Sequence, residues 1–379
     1  MRSTILLALA LSVSSSAQVS SSQIDAVFAP LKSNNAPGAA VLVVRNGKPV
    51  FRRGYGVTDL RTLHPIDAQT NFRLASFTKQ FTAMCIMLLV HDGKLRYDDH
   101  LTGIFPEFPA YGKSITVRNL LNHTSGLRDY EDILMKQYPN TPEDKIPQIL
   151  DAGVLKLLEQ QSAGDFPAGS KWEYSNSGYA LLAMIVEKVS GEPFGEFLHE
   201  RIFAPLKMND TLAFEKGKNE VPRRAYGHTR EKNVWRQTDQ SPTSAVLGDG
   251  GIYSSIDDLA KWDRALREHG LLSESEMKPA LTPVQLAAGP AKFPDGSPVS
   301  YGFGWFLAPY KGHARMSHDG ETVGFRTTIQ RFPDDNLSII VLANRSDVNP
   351  EELALKVADL YLREKPLEDR PSSFQNTRL

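Results

Sequence analysis

The chain has 379 residues, 41% of them hydrophobic, enough for a sizeable core and for two or three domain-sized units. With 43 basic residues against 44 acidic ones the formal net charge is -1, which leaves no basic footprint for nucleic acid or an anionic membrane. The single cysteine, Cys85, excludes an intramolecular disulfide, and no Cys/His spacing suits structural zinc.

The first element is a targeting pattern. Arg2 supplies a positive start, Ile5 to Val13 an apolar stretch too short to span a bilayer, and Ser15-Ser16-Ala17 a small-residue cleavage site. Met1 to Ala17 therefore reads as a signal peptide, and the mature protein as secreted or periplasmic. No cysteine follows it to take a lipid, so no stable membrane anchor is expected.

Gln23 to Leu31 has helical apolar spacing. A β-rich run, Ala39 to Val44, leads through Asn46-Gly47 into a second run from Pro49 to Val57, and Asn-Gly between two such runs predicts a hairpin. Ser76 to His91 is apolar nearly all round, the mark of a buried helix, and Asp92-Gly93 supplies a glycine cap. From Leu95 to Pro242 the pattern is helix and loop, with helices expected near 144–160 and 176–190. An amphipathic helix follows over Ile256 to Leu266. Strands are expected at Gly302 to Leu307, Gly324 to Phe332 and Leu337 to Leu342, then a helix from Glu351 to Leu362 and a polar tail over 365–379. Strands first and last with helices between predict an α/β fold of the α+β type. Its antiparallel sheet (about 23–75 and 247–364) is flanked by terminal helices and joined to a mostly helical subregion (about 76–246).

Three short patterns carry chemistry: Ser76-Phe77-Thr78-Lys79, Tyr174-Ser175-Asn176 and His318-Asp319-Gly320. Each has a decoy in the same chain, at Ser275-Glu276-Met277-Lys278, Tyr138-Pro139-Asn140 and His91-Asp92-Gly93. Context separates them, because the decoys fall in a charged surface stretch, a proline turn and a helix cap. Three residues apart on a helix, Ser76 and Lys79 share one face, so the amine reaches the hydroxyl. Burial and the positive helix end both favour an uncharged amine, which accepts a proton. The Ser76 N–H at that terminus is free to bond an oxyanion. The bland alternative is an N-capping serine beside an exposed lysine. A loop phenol at Tyr174 can relay a proton, and the Asn176 carboxamide can bond a substrate carbonyl. The alternative is a buried tyrosine and a helix-capping asparagine. Gly320, placed just before a strand, admits close approach of a bound acyl group, or else belongs to a polar turn. His123 and Arg128-Asp129-Tyr130 either border the pocket or shape a loop. Neither H-E-x-x-H nor G-x-S-x-G occurs, so no metal and no α/β-hydrolase elbow are expected. Cys85 reads as a small core residue.

The stretches Phe72 to Lys79, Leu120 to Leu127, Glu173 to Gly178, Gly250 to Ser255 and Ser317 to Gly324, in that order, resemble the serine hydrolases of the β-lactamase-like superfamily. That superfamily includes class C β-lactamases, penicillin-binding proteins, D-amino-acid peptidases and related esterases. The resemblance spans nearly the whole mature chain and implies a β-lactamase/transpeptidase-like fold over 18–364, with the site where sheet and helices join. It implies that Ser76 is the acylated nucleophile, Lys79 its base and Tyr174 the proton relay. Asn176 would contact substrate and Lys79, His318 and Gly320 would line the substrate side, and the N–H groups of Ser76 and Glu321 would hold the oxyanion. No cofactor is implied. One departure matters. Many penicillin-recognising members carry Lys-Thr-Gly where this chain has His318-Asp319-Gly320, and a histidine is mostly neutral at pH 7. The expected function is an exported serine hydrolase of carboxylesterase or D-amino-acid peptidase type, acting on a small-molecule or peptide ester or amide. The alternatives are a β-lactamase or DD-peptidase with a His-x-Gly motif, and a catalytically silent wall-peptide-binding protein.

Overall fold

The structure, a computed structural model, describes residues 19–363, so the signal-peptide pattern and the polar tail lie outside the described residues. A five-stranded antiparallel sheet frames the molecule. From edge to edge its strands are Met316–Thr322, Phe325–Phe332, Leu337–Ala343, Ala39–Arg45 and Lys48–Tyr55. Early and late strands meet in the middle, where Ala39 lies opposite Ala343 and Arg45 opposite Leu337. Ala39 to Val44 is apolar at every position because both sheet faces are covered. Side chains alternate across a strand, so Ala39, Val41 and Val43 meet the terminal helices while Ala40, Leu42 and Val44 face the helical region. The expected hairpin forms at Asn46 (φ 51°) and Gly47 (φ 72°). Both are left-handed, as the tight turn matching strand twist requires.

The first terminal helix, Ser21–Val27, starts on a capping box between Ser20 and Gln23. It ends earlier than the apolar spacing suggests, because Pro30 cannot continue the hydrogen-bond ladder and Ala29–Leu31 tightens into a 3-10 turn. The last helix, Pro350–Tyr361, carries proline at its first position and is capped by Asn349, whose Oδ1 accepts from Glu352 N at 3.0 Å. Ile24 and Phe28 from one helix and Ala354, Val357 and Ala358 from the other are buried in one core with the sheet. On the opposite face lies the helix Ile256–Glu268, with Leu259, Trp262 and Leu266 in the larger core. It is tied to the sheet by a buried ion pair, Arg331 Nε to Asp263 Oδ1 at 2.8 Å. Ser338 Oγ donates to the same oxygen at 2.7 Å, the kind of added bond a buried pair needs.

Two long buried helices, Lys79–His91 and Asn176–Ser190, form the centre of the helical region. A small sheet of Phe72–Arg73, Ile252–Ser254 and Leu212–Ala213 leads into the first of them. Three further expectations change. Residues 302–307 form a turn with single pairings, Tyr301 to Phe306 and Phe306 to Ser317, because Gly304 takes φ 74°. The edge strand is instead Met316–Thr322, which contains His318-Asp319-Gly320 rather than following it. The helix expected near 144 starts at Asp151, after a 3-10 turn at Glu143–Lys145 and the interruption of Pro147.

Candidate active site

Ser76 sits in a 3-10 turn, Ala75–Thr78, between the short strand Phe72–Arg73 and the helix Lys79–His91. Ala75 adopts a left-handed conformation (φ 52°), uncommon for a residue with a Cβ and frequent where a site over-determines its backbone. The turn is clamped on both sides. Leu74 N donates to Ile252 O at 2.8 Å, and Leu74 O accepts from Thr327 Oγ1 at 2.7 Å. Gly320 faces that carbonyl, and a Cβ there would lie 2.0 Å from Leu74 O and 2.3 Å from Thr327 Oγ1. The glycine therefore makes room for the chain's own nucleophile turn, not for a bound acyl group.

Lys79 is fully buried. Its Nζ lies 3.0 Å from Ser76 Oγ, 2.8 Å from Asn176 Oδ1 and 2.9 Å from the carbonyl of Asp249. An exposed lysine beside a capping serine is thereby excluded. Asn176 is not a cap either. Ser175 caps the helix Asn176–Ser190 by accepting from Gly178 N at 3.1 Å, which leaves Asn176 to turn towards Lys79. The Asp249 carbonyl is presented by the short helical turn Leu247–Gly250. Asp151 holds that turn by accepting from Leu247 N at 2.7 Å and Gly248 N at 3.0 Å, and Thr82 Oγ1 donates to Gly248 O at 2.6 Å.

Tyr174 is half-buried, its ring 5.0 Å from Lys79 Nζ and 4.4 Å from the His123 ring. His123 anchors this loop. Its carbonyl accepts from Glu173 N at 2.9 Å and its Nδ1 from Ser175 N at 3.1 Å, which puts the ring proton on Nε2. Burial, then Lys79 and His318, hold this imidazole well below its ordinary range. The Tyr174 hydroxyl makes no hydrogen bond among the described residues.

His318 departs from its expected place on the substrate side. It is 2% exposed. Its Nδ1, 2.7 Å from the Asp319 carbonyl, donates, and its Nε2 accepts from the Tyr301 hydroxyl at 3.2 Å. No ring nitrogen is left for substrate. Burial, then Lys79, pushes its pKa down to about 3, so it is uncharged at neutral pH. Glu321 lies further along the same edge strand. Ser317 directs its N–H and carbonyl outward to Phe306 at 2.9 and 2.8 Å, and alternation along the strand places the backbone groups of Glu321 on that same outer edge. Its side chain pairs with Arg326 at 2.7 Å.

Ser76, Tyr130, Glu131, Asn176, Asp249 and Glu321 line one cleft of about 50 Å³. A larger open cavity, about 780 Å³ around Arg61, Arg224 and Tyr226, contains none of these groups and lies apart from the chemistry. Tyr130 donates its hydroxyl to Asp249 Oδ2 at 2.8 Å, while Arg128 turns away to Gln161. Glu131 accepts from Asn176 Nδ2 at 3.3 Å. Burial and the Asp249 and Asp129 carboxylates push its pKa up to about 7, against the pull of Lys79. Sequence reasoning reached its neighbours but passed over Glu131, which belongs to none of the three motifs. Among the described residues no group of His, Cys, Asp and Glu side chains converges as a metal site, and no helix is long and apolar enough to cross a membrane.

The Beta-lactamase family model matches residues 24–362. The chain is 32% identical over 364 residues to penicillin-binding protein 4* of Bacillus subtilis (strain 168), covering 91% of this chain and 77% of that relative. It is 29% identical to a D-aminopeptidase of Brucella anthropi, over 86% of this chain and 59% of that protein. Among solved structures, the D-amino acid amidase from Ochrobactrum anthropi SV3 matches with a TM-score of 0.74 at 25% identity, covering 90% of this chain and 97% of the other. The penicillin-binding protein homologue from Pyrococcus abyssi also matches at 0.74 and 25%, covering 89% and 76%.

Proposed function

This chain belongs to the Beta-lactamase family and is a serine hydrolase; on that premise we propose that it is exported and cleaves an ester or amide through a Ser76 acyl-enzyme, with the specificity of a carboxylesterase or D-amino-acid peptidase. The observation that carries the reading is the fully buried Lys79 amine, 3.0 Å from Ser76 Oγ. Asn176 Oδ1 and the Asp249 carbonyl can only accept, so two protons of the amine go to them. The third position of the nitrogen faces Ser76 Oγ, the contact along which the serine proton is taken.

As Ser76 Oγ bonds to the substrate carbonyl carbon, its proton passes to Lys79 Nζ. On this reading the N–H groups of Ser76 and Glu321 hold the oxygen that gains negative charge. Collapse of the tetrahedral intermediate breaks the bond to the leaving amine or alcohol, which takes up a proton through Tyr174. Water then attacks the acyl group, gives its proton to the same relay, and restores the serine.

His318, uncharged and with both nitrogens engaged, offers no cation to a β-lactam carboxylate. The similarity to proteins named D-aminopeptidase and D-amino acid amidase supports a D-amino-acid amide as substrate. Purified protein and its Ser76→Ala variant should be compared on aryl esters, D-amino-acid anilides and a chromogenic cephalosporin. The variant should lose all turnover, and full activity without Ser76 would end the assignment. A cephalosporin kcat/KM near the diffusion limit of about 10⁸ M⁻¹s⁻¹ would reverse the ranking of substrates. Export predicts that protein recovered outside the cytoplasm begins at Gln18, and an intact Met1 there would count against it.

A further inference from the structure

We propose that a second cavity, formed by the helix Val117–Leu121 with Asn122 and by the turns over Glu274–Met277 and Lys278–Leu281, binds a small organic carboxylate with an apolar body. The cavity holds about 450 Å³, a size that suits a small molecule, and shares no lining residue with the cleft at Ser76. The inference stands apart from the Ser76 chemistry.

Three observations carry it. The first is a buried donor. Asn122 lines the cavity and is 8% exposed. A chain of bonds fixes which way its amide points. Asn119 Oδ1 accepts from Thr116 N at 3.0 Å, so Asn119 Nδ2 donates to Thr124 Oγ1 at 2.8 Å. The threonine proton therefore goes to Asn122 Oδ1, at 2.7 Å. Both Nδ2 protons of Asn122 are left without an acceptor among the described residues, a cost that an oxygen on a ligand removes. The second observation is charge. Arg118 stands four residues before Asn122 on the same helix face. It gives Nε to Asp98 Oδ1 at 3.1 Å and keeps its terminal nitrogens. Ser275 and Lys278, whose spacing imitates the nucleophile pair, line another wall, and Lys278 makes no ion pair among the described residues. No carboxylate lines the cavity, and Glu276 is engaged by His91 and Ser273. Two cations against Asp98 leave one positive charge, which a monoanion matches and a phosphate dianion exceeds. The guanidinium fork also fits the two oxygens of a carboxylate. The third observation is the apolar part of the wall, where Phe303 and Val284 are 3% and 8% exposed beside Pro279 and Pro283. An inorganic anion would leave that surface bare, and a neutral hydrocarbon would leave the donors idle.

The test is calorimetric titration of the purified protein at low salt with 2-naphthoate, the neutral 2-naphthamide and 2-naphthyl phosphate, on wild type and Lys278→Gln. Lys278 is exposed, so its replacement leaves the fold intact. Wild type should bind naphthoate with a Kd of about 1 mM or tighter, and the amide about tenfold more weakly or worse. In K278Q the affinity for naphthoate should fall by about fivefold, while that for the amide stays as it was. Failure of wild type to bind naphthoate at about ten times that Kd overturns the proposal, as does equal affinity for naphthoate and naphthamide. Tighter binding of the naphthyl phosphate would refute the match to a monoanion. Unchanged naphthoate affinity in K278Q would put the ligand elsewhere, the Ser76 cleft included. An equal fall for acid and amide would mean lost packing and not lost charge, and it too overturns the proposal.

Discussion

Replacing Gly320 with alanine tests how the sheet holds the nucleophile. The added methyl would stand 2.0 Å from Leu74 O and 2.3 Å from Thr327 Oγ1, where ordinary contact begins at 3.4 Å. The threonine hydroxyl can rotate away, but the carbonyl is backbone, so the strand and the Leu74 peptide must part by more than 1 Å. Leu74 stands two residues before Ser76 and is already tied to Thr327 and Ile252, so the displacement reaches the reacting oxygen. Misplacing a reacting group by about 1 Å costs about 100-fold in rate, and overpacking of this kind costs about 1–3 kcal/mol of stability. We expect Gly320→Ala to lower kcat/KM by about 100-fold, to slow covalent labelling of Ser76 in parallel, and to lower Tm by a few degrees. Steady-state kinetics, timed intact-mass labelling and calorimetry on the same preparation measure all three. A variant with wild-type kcat/KM and Tm would show that the strand does not position the nucleophile turn.

Other outcomes follow from the buried titratable groups. His318, pushed down to about 3 by burial, should show no imidazole chemical-shift step between about pH 5 and 8, and a step near pH 6.5 would contradict its placement. Burial pushes Asp151 up to about 7 against its two backbone N–H bonds. The folded protein then keeps a proton that the unfolded chain has lost, so this group makes stability fall as pH rises from about 4 to about 7. Asp151→Asn should be less stable near pH 4, through a lost acceptor, yet show a shallower fall over that window in denaturant titrations; an unchanged slope would refute the assignment. Cys85 is fully buried and its thiol is pushed up by desolvation, so it should react with a thiol reagent only on unfolding, and fast labelling of native protein would contradict this.

The parts of the fold legible in the sequence are those with local causes. Asn46-Gly47 specifies its own left-handed turn, and the all-apolar helix Lys79–His91 can only be buried. The edge strand Met316–Thr322 is not legible, because Ser-His-Asp-Gly-Glu-Thr lacks the alternation of a half-buried strand and is held mainly by pairing to Phe325–Phe332, with one further pairing of Ser317 to Phe306. The site shows the same division. Ser76 and Lys79 are one helical turn apart and readable as a pair. The Asp249 carbonyl reaches Lys79 from 170 residues away, and Tyr130 meets Asp249 across 119. Only the packing of Asn176–Ser190 and Leu247–Gly250 against the nucleophile helix brings these together. His318 misled for a related reason. The resemblance implies that it lines the substrate side, while in the folded chain Tyr301 and the Asp319 carbonyl occupy both nitrogens.

The central claim is that Lys79 takes the proton of a Ser76 nucleophile. Intact-mass and peptide mapping after exposure to a fluorophosphonate test it most directly, on wild type, Ser76→Ala and Lys79→Met. Wild type should gain one adduct, on Ser76. Ser76→Ala should gain none, and Lys79→Met should label slower by a factor of about 100 or more while keeping its fold by circular dichroism. An adduct on another residue, or Lys79→Met labelled as fast as wild type, would contradict the account.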